Sequence, residues 1–249
     1  MAPIIKIENL TKRYPKSTKF AVDDLSFECY EGEIVGLLGH NGAGKSTTLK
    51  CLTGMLPPTS GKITICDFDI SKDAVKAKRN FGFVSDKHDV FVKMTGREYL
   101  NFIADAYGVD EADRAARYEE LEKVFCLGDR IYDVISDYSH GMRQKICMMG
   151  SLIHRPKLWI LDEPMIGLDP LTSARVQDFM REYAKSGNCI LFSTHNISTV
   201  QKVCSRVVII AESRKIDDFD VSTFAETHQN ADLEEYFLAA TSKRESEIK

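Results

Sequence analysis

The chain holds 249 residues, 43% of them hydrophobic and 28% charged, with a formal net charge of −4. That is enough for one large core, or for a core with an inserted subdomain, and the mildly acidic balance speaks against a nucleic-acid partner. No stretch approaches the roughly 18 consecutive apolar residues of a membrane span, and the opening MAPIIKIENLTKRYP lacks the apolar centre of a signal peptide, so a cytosolic chain is expected.

In chain order, β-like segments at Ile4–Leu10, Phe20–Cys29 and Glu33–Leu38 precede a segment from Gly44 to about Met55 whose composition suits a helix. Short strands are predicted at Lys62–Cys66 and Phe81–Val84. Thr95–Tyr107 and Ala112–Leu127 then carry apolar residues at helical spacing among many charges, which predicts a helical insert over 87–155. Strand signals return at Leu158–Leu161, Cys189–Ser193 and Val207–Ala211, with helices Pro170–Lys185 and Asn196–Cys204 between them. This alternation is that of an α/β fold, a parallel sheet with helices on both faces. Its core would comprise residues 1–86 and 156–211. The extension 212–249 is polar, with a short helix around Leu233–Ala239 and a charged end, TSKRESEIK, read as disordered. Seven cysteines lie among apolar neighbours without a C-x-x-C pair, the pattern of reduced core thiols.

Gly39-His40-Asn41-Gly42-Ala43-Gly44-Lys45-Ser46, followed by Thr47, satisfies G-x-x-x-x-G-K-[ST] between a predicted strand and a predicted helix. Glycines there let backbone amides curl around a polyphosphate, and the helix aims its positive end at it. Lys45 is expected to neutralise the β/γ oxygens and Ser46 to place its hydroxyl on Mg²⁺. Leu158–Leu161 predicts a buried strand with Asp162 and Glu163 at its carboxyl end, where open α/β sheets bind ligands. Adjacent strand residues point in opposite directions, so Asp162 can serve the metal while Glu163 orients and deprotonates the attacking water.

A third feature is YSHGMRQK, in front of a segment of helix-like composition. Ser139 reads as an N-cap, and its hydroxyl, the Gly141 amide and the helix's positive end form a second anion site, remote in sequence from the first. Two half-sites on one chain imply two chains.

With Tyr138-Ser139-His140-Gly141-Met142 standing where a signature usually written LSGGQ is found, nearly the whole chain resembles the ATP-binding cassette (ABC) superfamily in motif order. The resemblance implies a P-loop NTPase, with a RecA-like mostly parallel sheet, an antiparallel β subdomain and an inserted α-helical subdomain. It implies ATP and Mg²⁺ as ligands, Tyr14 stacked on adenine for about 1–3 kcal/mol, Asp169 of Gly167-Leu168-Asp169 touching a partner subunit, and His195 contacting the γ-phosphate. It also implies a head-to-tail dimer that closes on ATP, with a permease docked on the helical insert.

The chain departs from the family pattern at Asp86, where a glutamine is usual, and at His140 and Met142, usually glycine and glutamine. These variants, with the ending LEEYFLAAT, resemble the exporter branch often called ABC-2, whose permease is separately encoded. An ATPase at the cytoplasmic face of the cell membrane is therefore expected. An ABC ATPase of translation or DNA repair would normally carry two cassettes or a long coiled coil; a P-loop GTPase or kinase would leave Ser139–Met142 unexplained, and the guanine-reading [NT]-K-x-D is absent from this sequence.

Overall fold

In the computed structural model, residues 2–87, 91–228 and 231–247 are described. Residues 88–90 of the predicted insert and the last two of the predicted tail lie outside them. The chain begins with strands β1 (Ile5–Arg13), β2 (Phe20–Cys29) and β3 (Ile34–Leu38), helix α1 (Lys45–Leu52), strands β4 (Ser60–Ile65) and β5 (Phe68–Asp69), helix α2 (Ala74–Lys78) and strand β6 (Phe81–Val84). Helices α3 (Gly96–Tyr107), α4 (Glu111–Phe125) and α5 (His140–Leu152) follow. Then come β7 (Leu158–Asp162), α6 (Pro170–Lys185), β8 (Cys189–Thr194), α7 (Ile197–Val203), β9 (Arg206–Ala211), β10 (Arg214–Asp220), α8 (Phe224–Thr227) and α9 (Leu233–Glu247).

The alternating pattern of β1, with Ile5, Ile7 and Leu10 buried between more accessible neighbours, suits a sheet with one covered face. It joins an antiparallel sheet of order β2-β1-β4-β5. By contrast β3, β7 and β8 are buried at every residue, as strands covered on both faces must be. They form a second sheet of order β10-β9-β3-β8-β7-β6, parallel except for the edge strand β10. Period-two alternation divides the core: Leu158 and Ile160 pack with α1 and the antiparallel sheet, while Trp159 and Leu161 face a second cluster containing residues of α3 to α6 and α9.

The parallel register matters most for function. Val84 pairs with Leu161, Asp162 with Ser193, and Leu38 with Thr194, so β3, β6, β7 and β8 end at one edge. The loops leaving them converge there. Capping sets the helices of the insert. Thr95 Oγ1 accepts from Glu98 N (3.2 Å) while Thr95 N donates to Glu98 Oε2 (2.8 Å), a reciprocal box that starts α3. Buried Arg117 donates through Nε (3.0 Å) and Nη2 (2.7 Å) to Leu152 O, tying α4 to the end of α5.

Several expectations need correction. β5, α2 and β10 were not foreseen. Residues 211–214 are a two-residue hairpin turn, with Glu212 at φ 47° and Ser213 at φ 68°, and no Asn-Gly pair announces it. The C-terminal helix does not stop near Ala239, and TSKRES is not disordered: α9 runs to Glu247 because Leu233, Phe237 and Thr241, four apart, are buried against the core and anchor it. None of the seven cysteines is in a disulfide, but Cys126 is exposed, closing α4 at φ 50°, and Cys66 and Cys147 are only half-buried.

Helix α5 rests on β6 at Gly82, where a Cβ would lie 1.9 Å from Ser151 O. Backbone cannot yield there as a side chain would. Gly82→Ala is expected to cost about 3 kcal/mol, or about 6–12 °C of melting temperature, measured by thermal denaturation. An unchanged midpoint would mean that α5 can retreat from the strand.

Candidate active site

The loop from Gly39 to Gly44 leaves β3, and its first amide, Gly39 N, donates to Thr194 O of β8 (3.3 Å). Gly44 closes the loop at φ 110°, and a Cβ there would lie 2.4 Å from Ala21 O, so only glycine lets the chain turn into α1. Lys45 begins that helix with its side chain folded back, Nζ donating to Gly39 O (2.7 Å) and His40 O (3.1 Å). At 6% exposure, burial lowers the Lys45 ammonium's pKa, opposed by the charges of Glu163 and Asp162. A cleft of about 220 Å³ opens beside it, lined by residues that include Asn41, Gly42, Ser46, Thr47, Asp86 and Glu163. Tyr14, 40% exposed, stands at its flank with its hydroxyl 3.4 Å from Thr47 Oγ1.

Asp162 is the last residue of β7 and only 1% exposed. Its Oδ1 accepts from Ser46 Oγ (3.2 Å) and from Ser193 Oγ, while Oδ2 is buried with no hydrogen-bond partner among the described residues. Burial pushes this carboxyl above the usual carboxylate range, the hydroxyls of Ser193 and Ser46 oppose the shift, and the negative charges of Asp86 and Glu163 add to it.

At Glu163 the chain swings to φ 49°, its amide held by Ser193 O (3.1 Å) and Ser193 Oγ (3.2 Å). The turn separates the two carboxylates: Glu163 Oε1 lies 2.8 Å from His195 Nδ1 and 3.9 Å from Lys45 Nζ. His195 follows β8 in a turn fixed by Asn196 N donating to Thr194 Oγ1 (3.0 Å), after which Asn196 caps α7. Asp86, beyond the end of β6, lines the cleft and accepts at Oδ1 from Ser85 Oγ and Lys87 N, both at 2.9 Å.

The fold thus brings together the Gly39–Thr47 loop, Asp86, Asp162, Glu163 and His195. It does not bring Ser139, Gly141 or Asp169 into the cleft of this same chain. Ser139 caps α5, accepting from Met142 N (3.3 Å), and Gly141 packs against Gly167. Asp169 caps α6, accepting from Thr172 N (2.9 Å) and Thr172 Oγ1 (2.6 Å), with Lys145 Nζ at 3.7 Å; these donors hold its carboxyl down to about 2.

Two contributors were missed in the sequence. Ser193 reads as an ordinary strand residue, and only its register opposite Asp162 reveals it. Gln144, fully buried, donates Nε2 to Pro164 O (3.0 Å) and so fastens α5 to the loop after Glu163. Its position five residues after the capping serine was the only available signal.

A carboxyl whose pKa is raised by folding favours the folded state while protonated, and that contribution is lost as pH rises through its folded-state value. Asp162→Asn is therefore expected to raise the melting temperature of the ligand-free protein by about 2–5 °C near about pH 8, with the gain vanishing in acid. Calorimetry across pH checks this; a variant equally destabilised at every pH would show that the charge carries no penalty.

The model of a family described as ABC transporter matches residues 22–166. The linearmycin resistance ATP-binding protein LnrL of Bacillus subtilis is 33% identical over 86% of this chain and 68% of its own. A fluoroquinolones export ATP-binding protein of Mycobacterium tuberculosis is 34% identical over 85% of this chain and 69% of its own. A solved ATP-binding subunit of an ABC transporter superposes with a TM-score of 0.90 at 30% identity, covering 96% of this chain and 99% of that one. A phosphate loop and a strand-end carboxylate pair standing at one edge of this sheet, together with these matches, place the chain in the ABC transporter family, among its ATP-binding and ATP-hydrolysing cassettes.

Proposed function

We propose that this chain powers export as one half of a head-to-tail dimer, docked on a separate membrane permease at the cytoplasmic face of the cell membrane. The observation that carries the chemistry is Glu163, held between the Lys45 ammonium and the His195 ring at the mouth of the phosphate cleft. In this reading the amides of residues 39–47 cradle the phosphates, Lys45 moves from the loop carbonyls onto the β/γ oxygens, and Tyr14 stacks on the base. Glu163 takes the proton of the attacking water. His195, with Nδ1 turned to Glu163, has Nε2 to offer the γ-phosphate.

The donor set fits a divalent cation: Asp162 Oδ2 is buried with no partner among the described residues, beside the Ser46 hydroxyl, and Asp86 adds a carboxylate lining the same cleft. Ser46, Asp162 and Asp86 would hold magnesium. When bound, that ion neutralises phosphate charge.

Ser139, Gly141 and Asp169 are then free to serve the nucleotide held by a second copy. Residues 87–155 form the proposed docking subdomain beside the core of 1–86 and 156–211, with 212–249 as an extension. Its surface carries exposed Phe91, Val92, Phe102 and Tyr132, with the Phe91 and Phe102 rings 5.1 Å apart, the type of patch that meets another protein. Among the described residues no helix is long and apolar enough to cross a membrane. Export rather than translation or repair is favoured by the names of the relatives above.

Affinity purification of the tagged chain from detergent-solubilised membranes should recover a multi-span membrane protein, and recovery of soluble partners alone would refute the assignment. For the chemistry, Glu163→Gln should bind ATP with magnesium yet hydrolyse it at least about 10²-fold more slowly, since an amide cannot take the water's proton. Light scattering should find this variant dimeric with ATP. Near-normal turnover would remove Glu163 from the role of base.

A further inference from the structure

One side chain of the phosphate loop turns away from the cleft. His40 Nε2 lies 3.1 Å from Thr241 Oγ1 of α9, and its ring packs on Phe237 of the same helix with centroids 4.8 Å apart. Thr241 and Phe237 are 2% and 3% exposed, so this face of α9 is fully used. The direction of the hydrogen bond follows from the helix. The single proton of Thr241 Oγ1 has carbonyls to meet within its own helix, Phe237 O (2.8 Å) and Leu238 O (3.2 Å); directed there, it leaves Oγ1 to accept from His40 Nε2.

The backbone of the same residue faces the other way, its carbonyl accepting from Lys45 Nζ at 3.1 Å. His40 therefore stands between the phosphate-neutralising lysine and the C-terminal helix. Elsewhere loop and helix are separated by a cavity of about 140 Å³, whose lining includes Asn41, Gly42, Glu212 and Thr241. The loop has other supports, Gly39 N donating to Thr194 O (3.3 Å) and Ser213 N donating to Ala43 O (3.2 Å), but these belong to β8 and the β9–β10 turn. Helix α9 is itself anchored away from the loop, by the Tyr236 hydroxyl on Asp217 of β10.

We infer that α9 is a positioning element of the nucleotide site: through Thr241 and Phe237 it holds His40, and with it the phosphate loop, in the shape that receives ATP. Thr241 is a positioning residue: it does not line the cleft beside Lys45. Losing its hydroxyl leaves the loop to be ordered at the moment of binding, which weakens ATP without altering the hydrolytic groups. The coupling is reciprocal, so ATP must tighten the docking of α9 by the factor with which α9 tightens ATP. The inference rests on the loop 39–47 being the nucleotide cradle.

The test uses the full chain. Thr241→Val, equal in shape but without the acceptor, should raise the KM for ATP about fivefold, the cost of one net hydrogen bond, with kcat retained. Thr241→Ser, which restores the hydroxyl, should recover most of the loss. In the unaltered protein, magnesium and ADP should slow hydrogen exchange in α9, and in Thr241→Val that protection should be lost. A purely structural threonine would lower the melting temperature of Thr241→Val while leaving the KM and the nucleotide-induced protection as they were, and that result overturns the inference. Exchange in the unaltered protein needs no variant to fold: if nucleotide binds there and α9 is indifferent to it, the coupling is wrong while the cradle stands. Failure of the unaltered protein to bind nucleotide would overturn both.

Discussion

A carboxylate with 1% of its surface exposed and one oxygen that has no partner among the described residues is the constraint around which this molecule is arranged. Asp162 ends a strand that is otherwise apolar and buried on both faces, so its charge is taken from water by the packing that makes the sheet stable. Two hydroxyls, Ser46 from the phosphate loop and Ser193 from the neighbouring strand, offset part of that cost, as does the Lys45 charge. The arrangement is poor for the stability of the isolated chain and good for a cation that needs a dry, oriented oxygen. Stability is supplied instead by the two apolar clusters on either side of the sheet, which leaves the strand ends to be spent on chemistry.

The next residue shows how local backbone strain separates two roles. Glu163 adopts φ 49°, a region in which a non-glycine side chain costs on the order of 1 kcal/mol, and the conformation persists because Ser193 holds its amide. Without the swing, Glu163 would continue the strand's alternation. With it, the carboxylate reaches His195 and Lys45 while Asp162 stays against Ser46. Ser193 thus serves both residues, its hydroxyl on one carboxylate and the other's amide on its own oxygens.

What was legible in the sequence was whatever depends on chain-local pattern. The glycines and lysine of residues 39–47, the apolar run before Asp162 and the alternation of strands with helices each follow from spacing along the chain. Ser193 was illegible because its role comes from pairing 31 residues away across a parallel register. Gln144 was illegible for the same reason, its partner being a carbonyl on another element. The turn at Glu212-Ser213 has left-handed geometry without the residues that usually advertise it, so tertiary pairing of β9 with β10 overrides local preference. The charged tail misled through composition: one buried stripe of Leu233, Phe237 and Thr241 suffices to propagate a helix into residues that would not form one alone.

The separation of Ser139 from the Lys45 cleft has a mechanical consequence for the proposed dimer. Helix α5 carries Ser139 at its start and Gln144 a turn later, and Gln144 grips the carbonyl of Pro164, the residue after Glu163. The same helix presses on β6 at Gly82, two residues before the end of the strand that leads to Asp86. A shift of the loop beyond Glu163 therefore cannot leave α5 in place, because an amide buried at 0% exposure that loses Pro164 has no water to replace it. The surface that one copy would offer to its partner's nucleotide is fastened to the loop that follows Glu163, the carboxylate proposed as the base. In the proposed dimer this contact would be a direct physical route by which events in one cleft alter the half-site presented to the other.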